Sequence, residues 1–348
     1  MQLGLEVGGY FRNDRHDWKN AFPELLNVIM KADQIGLDAV VVGEHHFMDY
    51  GITPSPLALI SYIAPLVKIP RLVGAILMMP MHDASVLAGE IAQTDHLTRG
   101  RLEFGPSRGG GPYEYERSGR PADEATTRAN FEEQFMVLRR LLTETNVTYK
   151  GQFVAVDNAT IMPPVFRKPH PPIWQTCQRE EAAFHCAKKG YHIFTSSLRR
   201  PMSYVAGLRK AFDAGLAESS KPQGEQEFAH LQWVYVAKDD ADAREKMEIA
   251  YKKQRQFWGL WLNTLTVKDG RIPEVDMPAT MDEVSKGLII GTPSYVEDRL
   301  REIAELGTDL MVMKTGFGQA NEDEVASLDR LAEHIMPKIH TPKQKLAA

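Results

Sequence analysis

The chain has 348 residues, 43% hydrophobic and 25% charged, a composition typical of a soluble globular protein with a large core. Its formal net charge is −5 and its pI is near 6.1, which predicts no surface for nucleic acid or an anionic membrane. No apolar run reaches the roughly 18 residues of a membrane helix, and the first residues predict a strand rather than a signal peptide. The only cysteines, Cys177 and Cys186, have a spacing that fits no metal pair, so we expect a reduced, cytoplasmic protein.

Strand-like and helix-like segments alternate along the chain. Eight strand–helix steps, with helices of about 10–20 residues, predict an α/β protein with a (β/α)8 TIM barrel rather than an open doubly wound sheet. The predicted strands are 3–7, 39–42, 71–77, 101–105, 172–176, 192–196, 230–236 and 309–314. The predicted helices are 22–35, 56–66, 84–97, 127–142, 180–189, 201–216, 240–260, 294–306 and 321–335.

We therefore expect a single domain over residues 1–340, followed by a flexible tail at 341–348. Residues 262–287, named here the lid segment, have little periodic pattern. Loops of that length are usually functional or disordered, so the segment is either an active-site lid or an ordinary surface loop.

The clearest sign of chemistry follows the second predicted strand. Val40, Val41 and Val42 form an apolar β-branched run suited to a buried parallel strand, and Gly43, Glu44, His45 and His46 come directly after it. Barrel enzymes place their active sites at this end of the strands, and imidazole suits a general acid or base. Because side chains alternate along a strand, Glu44 and His46 should share one face while His45 takes the other. The alternative without catalysis is a capped strand end whose histidines only form hydrogen bonds with backbone carbonyls. Metal-binding spacings such as HExxH are absent, so no metal is expected.

A second cluster surrounds the glycine run after the fourth predicted strand. The cluster begins with Ser107, Arg108 and Gly109. Glycine lets the backbone approach a ligand closely, and arginine can bind a phosphate through two hydrogen bonds. The run fits neither GxGxxG nor the P-loop pattern, and taken singly its arginine is an ordinary solvated residue. Further side chains fall at predicted helix starts, where anions bind, and together they indicate a phosphate site. These side chains are Arg128, Gln178 and Arg179.

His82 stands just past the third predicted strand and before the helix-capping residues Asp83 and Ser85. It is either a capping or core histidine or a further member of the site at the strand ends.

Taken together, these motifs resemble the bacterial luciferase family of flavin-dependent monooxygenases over almost the whole chain. The motifs are EHHF at 44–47, Gly51, Pro80 to His82, Asp95, Thr98 to Arg101, Phe104 with Gly105, Ser107 to Gly109, Gly291 to Pro293, Gly316 with Phe317, and Met336 with Pro337. The combination is highly specific for the family and far less specific for a substrate.

The resemblance assigns roles to individual positions. It implies that His45 is the catalytic acid or base, that His46 is its companion, and that Glu44 and His82 belong to the cofactor site. It also places Arg108 and Arg128 at the phosphate of FMN, completed by the helix start at Gln178 and Arg179, where the family usually has small hydroxyl or acidic residues. Ser107 and Gly109 line the same loop, and Ser107 replaces the reactive cysteine of luciferase. The segment from Ala75 and Ile76 to Met78 corresponds to a strand end that often carries a non-prolyl cis peptide beneath the flavin ring. The segment is one residue shorter here, so that bond is not assigned.

The resemblance further implies the reaction. Reduced FMN, supplied by a separate flavin reductase, would react with O2 to give a C4a-hydroperoxyflavin that oxygenates a small organic substrate such as an aldehyde or ketone. Two alternatives stay open: an F420-dependent oxidoreductase on the same fold, for which the EHHF run is less typical, and a non-catalytic flavin-binding partner like the luciferase β subunit.

By analogy with the family we also expect a homodimer. Its interface would use the predicted helices 56–66 and 84–97, and the second is rich in small residues that permit close helix packing. The alternative is that these small residues only pack against the barrel. They are Ala84, Ser85, Ala88, Gly89 and Ala92.

Overall fold

A computed structural model describes residues 1–9, 18–109, 111–197, 200–220, 225–262 and 267–342. Position 110 of the glycine run, positions 263–266 of the lid segment and positions 343–348 of the predicted tail lie outside the described residues. Among the described residues, no helix is both long and apolar enough to cross a membrane.

The elements alternate as the sequence pattern predicts. The strands are β1 Gln2–Val7, β2 Ala39–Val42, β3 Arg71–Met78, β4 Leu102–Ser107, β5 Val147–Lys150, β6 Ala155–Ala159, β7 Trp174–Thr176, β8 His192–Ser196, β9 Phe228–Val236, β10 Ile289–Gly291 and β11 Leu310–Lys314. The helices are α1 Trp18–Ile35, α2 Pro56–Ile63, α3 Ala84–Leu97, α4 Pro112–Arg117, α5 Glu124–Thr143, α6 Glu180–Lys188, α7 Met202–Ala217, α8 Asp240–Leu262, α9 Met281–Ser285, α10 Pro293–Glu305, α11 Asn321–His334 and α12 Met336–Ile339.

The parallel strands form a nearly closed barrel in the order β4-β3-β2-β1-β11-β9-β8-β7. The gap between β4 and β7 is bridged where Phe104 pairs with Ile173 and the Phe104 backbone N–H donates to the Pro172 carbonyl at 3.0 Å. Inward-facing apolar residues such as Val41, Val73 and Trp174 fill the barrel, while outward-facing ones pack under the helices. The predicted (β/α)8 TIM barrel is confirmed.

The short elements α4, α9, α12 and β10 were not predicted. Each has six residues or fewer, too short for a hydrophobic period to show in the sequence. The start of α5 also differs: the helix begins at Glu124, capped by Asp123, whose carboxylate accepts from the Thr126 N–H at 2.8 Å. Arg128 therefore lies in the second turn of that helix rather than the first.

The small residues of α3 divide between two faces, which corrects part of the argument for a dimer. Ala84, Ala88 and Ala92 are fully buried, so their small size serves packing within the chain. For these three residues the alternative, packing against the barrel, applies. Val86 on the opposite face is 60% exposed, and a side chain at Gly89 would meet open space. Only this outer face is available to a second copy, and the dimer stays a prediction.

Candidate functional site

Glu44 is the buried centre of a cluster at the carboxyl end of β2. Its side chain has no exposed surface, and its Oε1 lies 2.7 Å from Nε2 of His46 and 3.0 Å from Nε2 of His82. The Met78 backbone N–H donates to Oε2 at 3.0 Å, which ties the end of β3 to the same carboxylate. The predicted pairing of Glu44 and His46 on one face is confirmed. His82 bonds this carboxylate, so it belongs to the cluster and is more than a helix cap.

The cluster is ionic. Burial alone would raise the pKa of Glu44, but hydrogen bonds from His46 and His82, together with the positive charge of His82, lower it from 4.5 to about 2. Burial would lower the pKa of His82, but its hydrogen bond to Glu44 and the charge of that carboxylate raise it above 6.5. Because the ionised carboxylate only accepts hydrogen bonds, Nε2 of each histidine must carry a hydrogen.

His45 points away from that cluster and keeps its side chain 32% exposed. Its ring meets Tyr50 edge-on, with 4.6 Å between the ring centroids. Gly51 leaves room for the ring, since a Cβ there would come within 3.0 Å of the His45 Cβ. His45 Nδ1 is buried without a hydrogen bond and lies 3.5 Å from Oε1 of Glu114, so its nearest partner is a carboxylate.

Glu114 was missed by sequence reasoning. It sits on α4, is 4% exposed, and accepts from the His46 backbone N–H at 2.7 Å. Its neighbour Tyr113 donates from its hydroxyl to the Phe47 carbonyl at 3.0 Å, so α4 holds the EHHF loop at two points. The available signal was Pro112, which favours the first position of a helix and follows the glycine run.

The described part of the lid segment packs on the loop that follows the histidines. The Asp49 backbone N–H donates to the Gly270 carbonyl at 2.7 Å, and its carboxylate accepts from the Ile272 N–H at 3.0 Å. Phe257 of α8 stacks on Tyr50 with centroids 5.1 Å apart. The segment has little regular structure apart from α9, as predicted, and it contacts the site directly.

A backbone shelf lies beside the cluster at the end of β3. The peptide bond between Ala75 and Ile76 is cis, so the bond left unassigned from the sequence is present. The pairing of β3 with β4 shifts by one residue between Ala75 and Leu77. Both Ala75 and Ile76 are half-buried and border the loop of Ser107.

The loop after β4 requires glycine at one position. Gly109 has a φ of 83°, and a Cβ there would lie 2.7 Å from the end of Met78 and 2.9 Å from the Tyr115 hydroxyl. Its N–H donates to the Ser107 hydroxyl at 3.3 Å. The backbone therefore passes very close to the end of β3 and turns Arg108 outward.

The predicted phosphate residues converge only in part. Arg108 Nη1 lies 3.8 Å and Arg128 Nη2 2.8 Å from the same oxygen of Glu124. Arg179, the N-cap of α6, adds its positive charge at Glu124. Gln178 differs, because its Oε1 accepts from the Tyr204 hydroxyl at 2.7 Å and anchors α7. Arg108 and Arg128 thus share one anion, and paired arginine donors suit a phosphate group. Among the residues described, no His, Cys, Asp or Glu group has a geometry that could hold a metal ion.

Comparison with known proteins identifies the family of the chain. Over 354 aligned residues the chain is 26% identical to the oxygenase component of a flavin-dependent trigonelline monooxygenase from Acinetobacter baylyi, covering 99% of this chain and 97% of the relative. An F420-dependent glucose-6-phosphate dehydrogenase from Intrasporangium calvum is 23% identical, covering 90% and 94%. The crystal structure of the monooxygenase RslO1 from Streptomyces bottropensis superposes with a TM-score of 0.84 at 23% identity, covering 97% of this chain and 99% of that one. The family model described as luciferase-like monooxygenase matches residues 1–310. The chain therefore belongs to the luciferase-like monooxygenase family.

Proposed function

We propose that the chain is the oxygenase component of a two-component system that uses reduced FMN and O2 to oxygenate a small organic substrate, such as an aldehyde or ketone. A separate flavin reductase would supply the reduced FMN, and the oxygenase would work as a cytoplasmic homodimer. The relative from Acinetobacter baylyi, named as a flavin-dependent oxygenase component, supports this proposal.

The described residues fit a bound flavin mononucleotide. Arg108 and Arg128 pair with one carboxylate oxygen of Glu124, and Arg179 adds positive charge there, which would suit the phosphate. The backbone at Ala75 and Ile76 would offer surface to a planar ring, and Ala75 lies against Gly105 of β4. Bound reduced FMN would supply the chemistry that activates O2.

The side chains of this chain would manage protons and exclude water. With Nδ1 directed at the Glu114 carboxylate, His45 would present Nε2 to the pocket as the proton acceptor or donor. Glu44 would fix His46 and His82, so that their rings stay in place while protons move at His45. The lid segment, docked through Asp49, would limit the entry of water.

One observation carries the proposal: His45, which is 32% exposed and lies next to the buried carboxylate of Glu114, follows a barrel strand, and Arg108, which pairs with the same carboxylate as Arg128, follows another. It favours an enzyme over a stabilising partner, because such a partner needs no positioned acid or base. F420-dependent relatives share the fold, so the choice of cofactor needs a direct test.

The test is an anaerobic titration of the protein with reduced FMN and, separately, with reduced F420, followed by a pulse of O2. We expect tight binding of reduced FMN, and then a transient absorbance that differs from both reduced and oxidised FMN and decays faster when substrate is added. The same experiment with His45→Ala should keep binding and lose substrate oxygenation.

Binding of reduced F420 in preference to reduced FMN, without reaction with O2, would support the dehydrogenase alternative. Binding of FMN without any transient species or oxygenated product would support a non-catalytic flavin-binding protein.

A further inference from the structure

The arginine cluster already contains an anion supplied by the chain itself. Glu124 is the first residue of α5, and its Oε1 accepts from Arg128 Nη2 at 2.8 Å and lies 3.8 Å from Arg108 Nη1. The hydrogen bond from Arg128 and the positive charges of Arg108, Arg128 and Arg179 hold the pKa of Glu124 below its usual value. The carboxylate is therefore fully ionised at neutral pH.

Glu124 is not needed to cap its helix. Asp123 already does so, with its carboxylate accepting from the Thr126 N–H at 2.8 Å and from no arginine among the contacts of the described residues. Glu124 instead extends toward the loop of Arg108, and its side chain is 70% exposed and free to swing into solvent. Arg108 Nη1 also reaches the Thr127 hydroxyl at 3.5 Å, so it has a neutral partner when the carboxylate moves away.

We propose that Glu124 is an internal counter-ion that occupies the cofactor phosphate position, and that a flavin phosphate must displace it to bind. This inference rests on the proposed function, because it assumes that Arg108 and Arg128 receive the phosphate of FMN. Displacement breaks the pair between Glu124 and Arg128, which weakens binding of phosphorylated flavins and leaves riboflavin unaffected. After each turnover the carboxylate returns to the arginines and favours release of FMN to the reductase.

The test compares Glu124→Gln with Glu144→Gln. Glu144 flanks the other end of α5 and also pairs with an arginine, Arg140, at 3.0 Å, so the control removes the same charge far from the site. Dissociation constants of oxidised FMN, riboflavin and anaerobic reduced FMN are measured at low and high salt, together with the rate of FMN release by stopped flow.

We expect Glu124→Gln to bind FMN about 3- to 5-fold more tightly at low salt and to release it more slowly, in line with the loss of one exposed ion pair. The gain should shrink at high salt, because screening weakens exposed charges. Riboflavin binding and the Glu144→Gln variant should match the wild type.

Weaker or unchanged FMN binding in Glu124→Gln would overturn the inference, since the carboxylate would then position the arginines or play no part. Equal tightening of FMN and riboflavin would also overturn it, because the effect would not involve phosphate. Measurements on the wild type separate the proposed phosphate site from the proposed role of Glu124. If it binds FMN and riboflavin equally, the phosphate site itself is wrong; if it prefers FMN while Glu124→Gln behaves like the wild type, only the role of Glu124 fails.

Discussion

Replacing Glu44 by glutamine is expected to destabilise the protein strongly. The carboxylate has no exposed surface and accepts from His46, His82 and the Met78 N–H. A glutamine side chain of the same shape has one acceptor oxygen, so its amide N–H2 would face a group that also donates. A buried donor left without an acceptor is costly.

The magnitude follows from the pKa of Glu44, which falls from 4.5 to about 2. At about 1.36 kcal/mol per pH unit, the folded state favours the ionised carboxylate by roughly 3 kcal/mol. Breaking a buried ion pair costs about 3–5 kcal/mol in other proteins, which agrees with the value from the pKa of Glu44. For a chain of 348 residues this corresponds to a loss of roughly 4–5 °C in Tm.

The stabilisation should depend on pH in a defined direction. Because the pKa of Glu44 is lowered, its contribution is complete above 4.5 and is lost as the pH falls toward 2. Because the pKa of His82 is raised, its contribution is complete below 6.5 and is lost as the pH rises through the folded-state value. The two pKa shifts describe the same ion pair, so their free energies are not added. The difference between wild type and Glu44→Gln should be largest near pH 6 and fall to about 2 kcal/mol at pH 3.5.

Urea unfolding of both proteins at pH 3.5, 6 and 9 measures this difference, with calorimetry for Tm. Glu116→Gln serves as the matched control, because Glu116 is exposed on α4 close to the same site. The reasoning is refuted if Glu44→Gln stays within about 0.5 kcal/mol of the wild type, the range of ordinary surface changes, or if the difference is the same at all three pH values.

Three further predictions concern chemistry, cofactor and assembly. His45→Ala should keep the fold and FMN affinity while reducing turnover by about 10²–10⁴-fold, and a wild-type rate, or an equal loss in the exposed control His334→Ala, would contradict it. Arg108→Ala should weaken FMN binding by about 10- to 100-fold, as for a lost charge-assisted hydrogen bond, without changing riboflavin binding; equal losses for both flavins would exclude a phosphate contact. Sedimentation should show a dimer at micromolar concentration, and Val86→Glu should dissociate it. The control Met162→Glu, at an apolar residue that is even more exposed but lies outside α2 and α3, should not. A wild-type monomer would count against the interface.

Most of the barrel was predictable because its elements are long and periodic. Apart from β7, which has only three residues, the barrel strands carry apolar residues, and the main helices show a 3.6-residue pattern, so their order follows from the sequence. The elements that sequence reasoning missed are short and depend on tertiary contacts. The helix α4 has six residues, and β10 has three residues that pair in parallel with β9 at Val234 to Val236. Neither length supports a periodic signal.

The site was predictable to the extent that its residues follow strands in the sequence. Glu44, His45 and His46 come directly after β2, so their place at the barrel end followed from the fold class. Glu114 and Glu124 are ordinary acidic residues at helix starts, and nothing local distinguishes them from solvated charges. Their importance arises from what the fold brings against them: the histidine loop in one case and the arginine cluster in the other.

The two buried carboxylates of the site contact different ring nitrogens of the histidines. Glu44 engages Nε2 of His46 and His82, which removes those nitrogens from any exchange of protons with a ligand. Glu114 instead faces Nδ1 of His45 and leaves the opposite nitrogen toward the half-exposed side of the ring. The adjacent residues His45 and His46 therefore meet their carboxylates through different ring nitrogens. Since Glu114 also accepts from the His46 backbone N–H, a shift of α4 would disturb both histidines together, so the position of this short helix determines the geometry of the whole site.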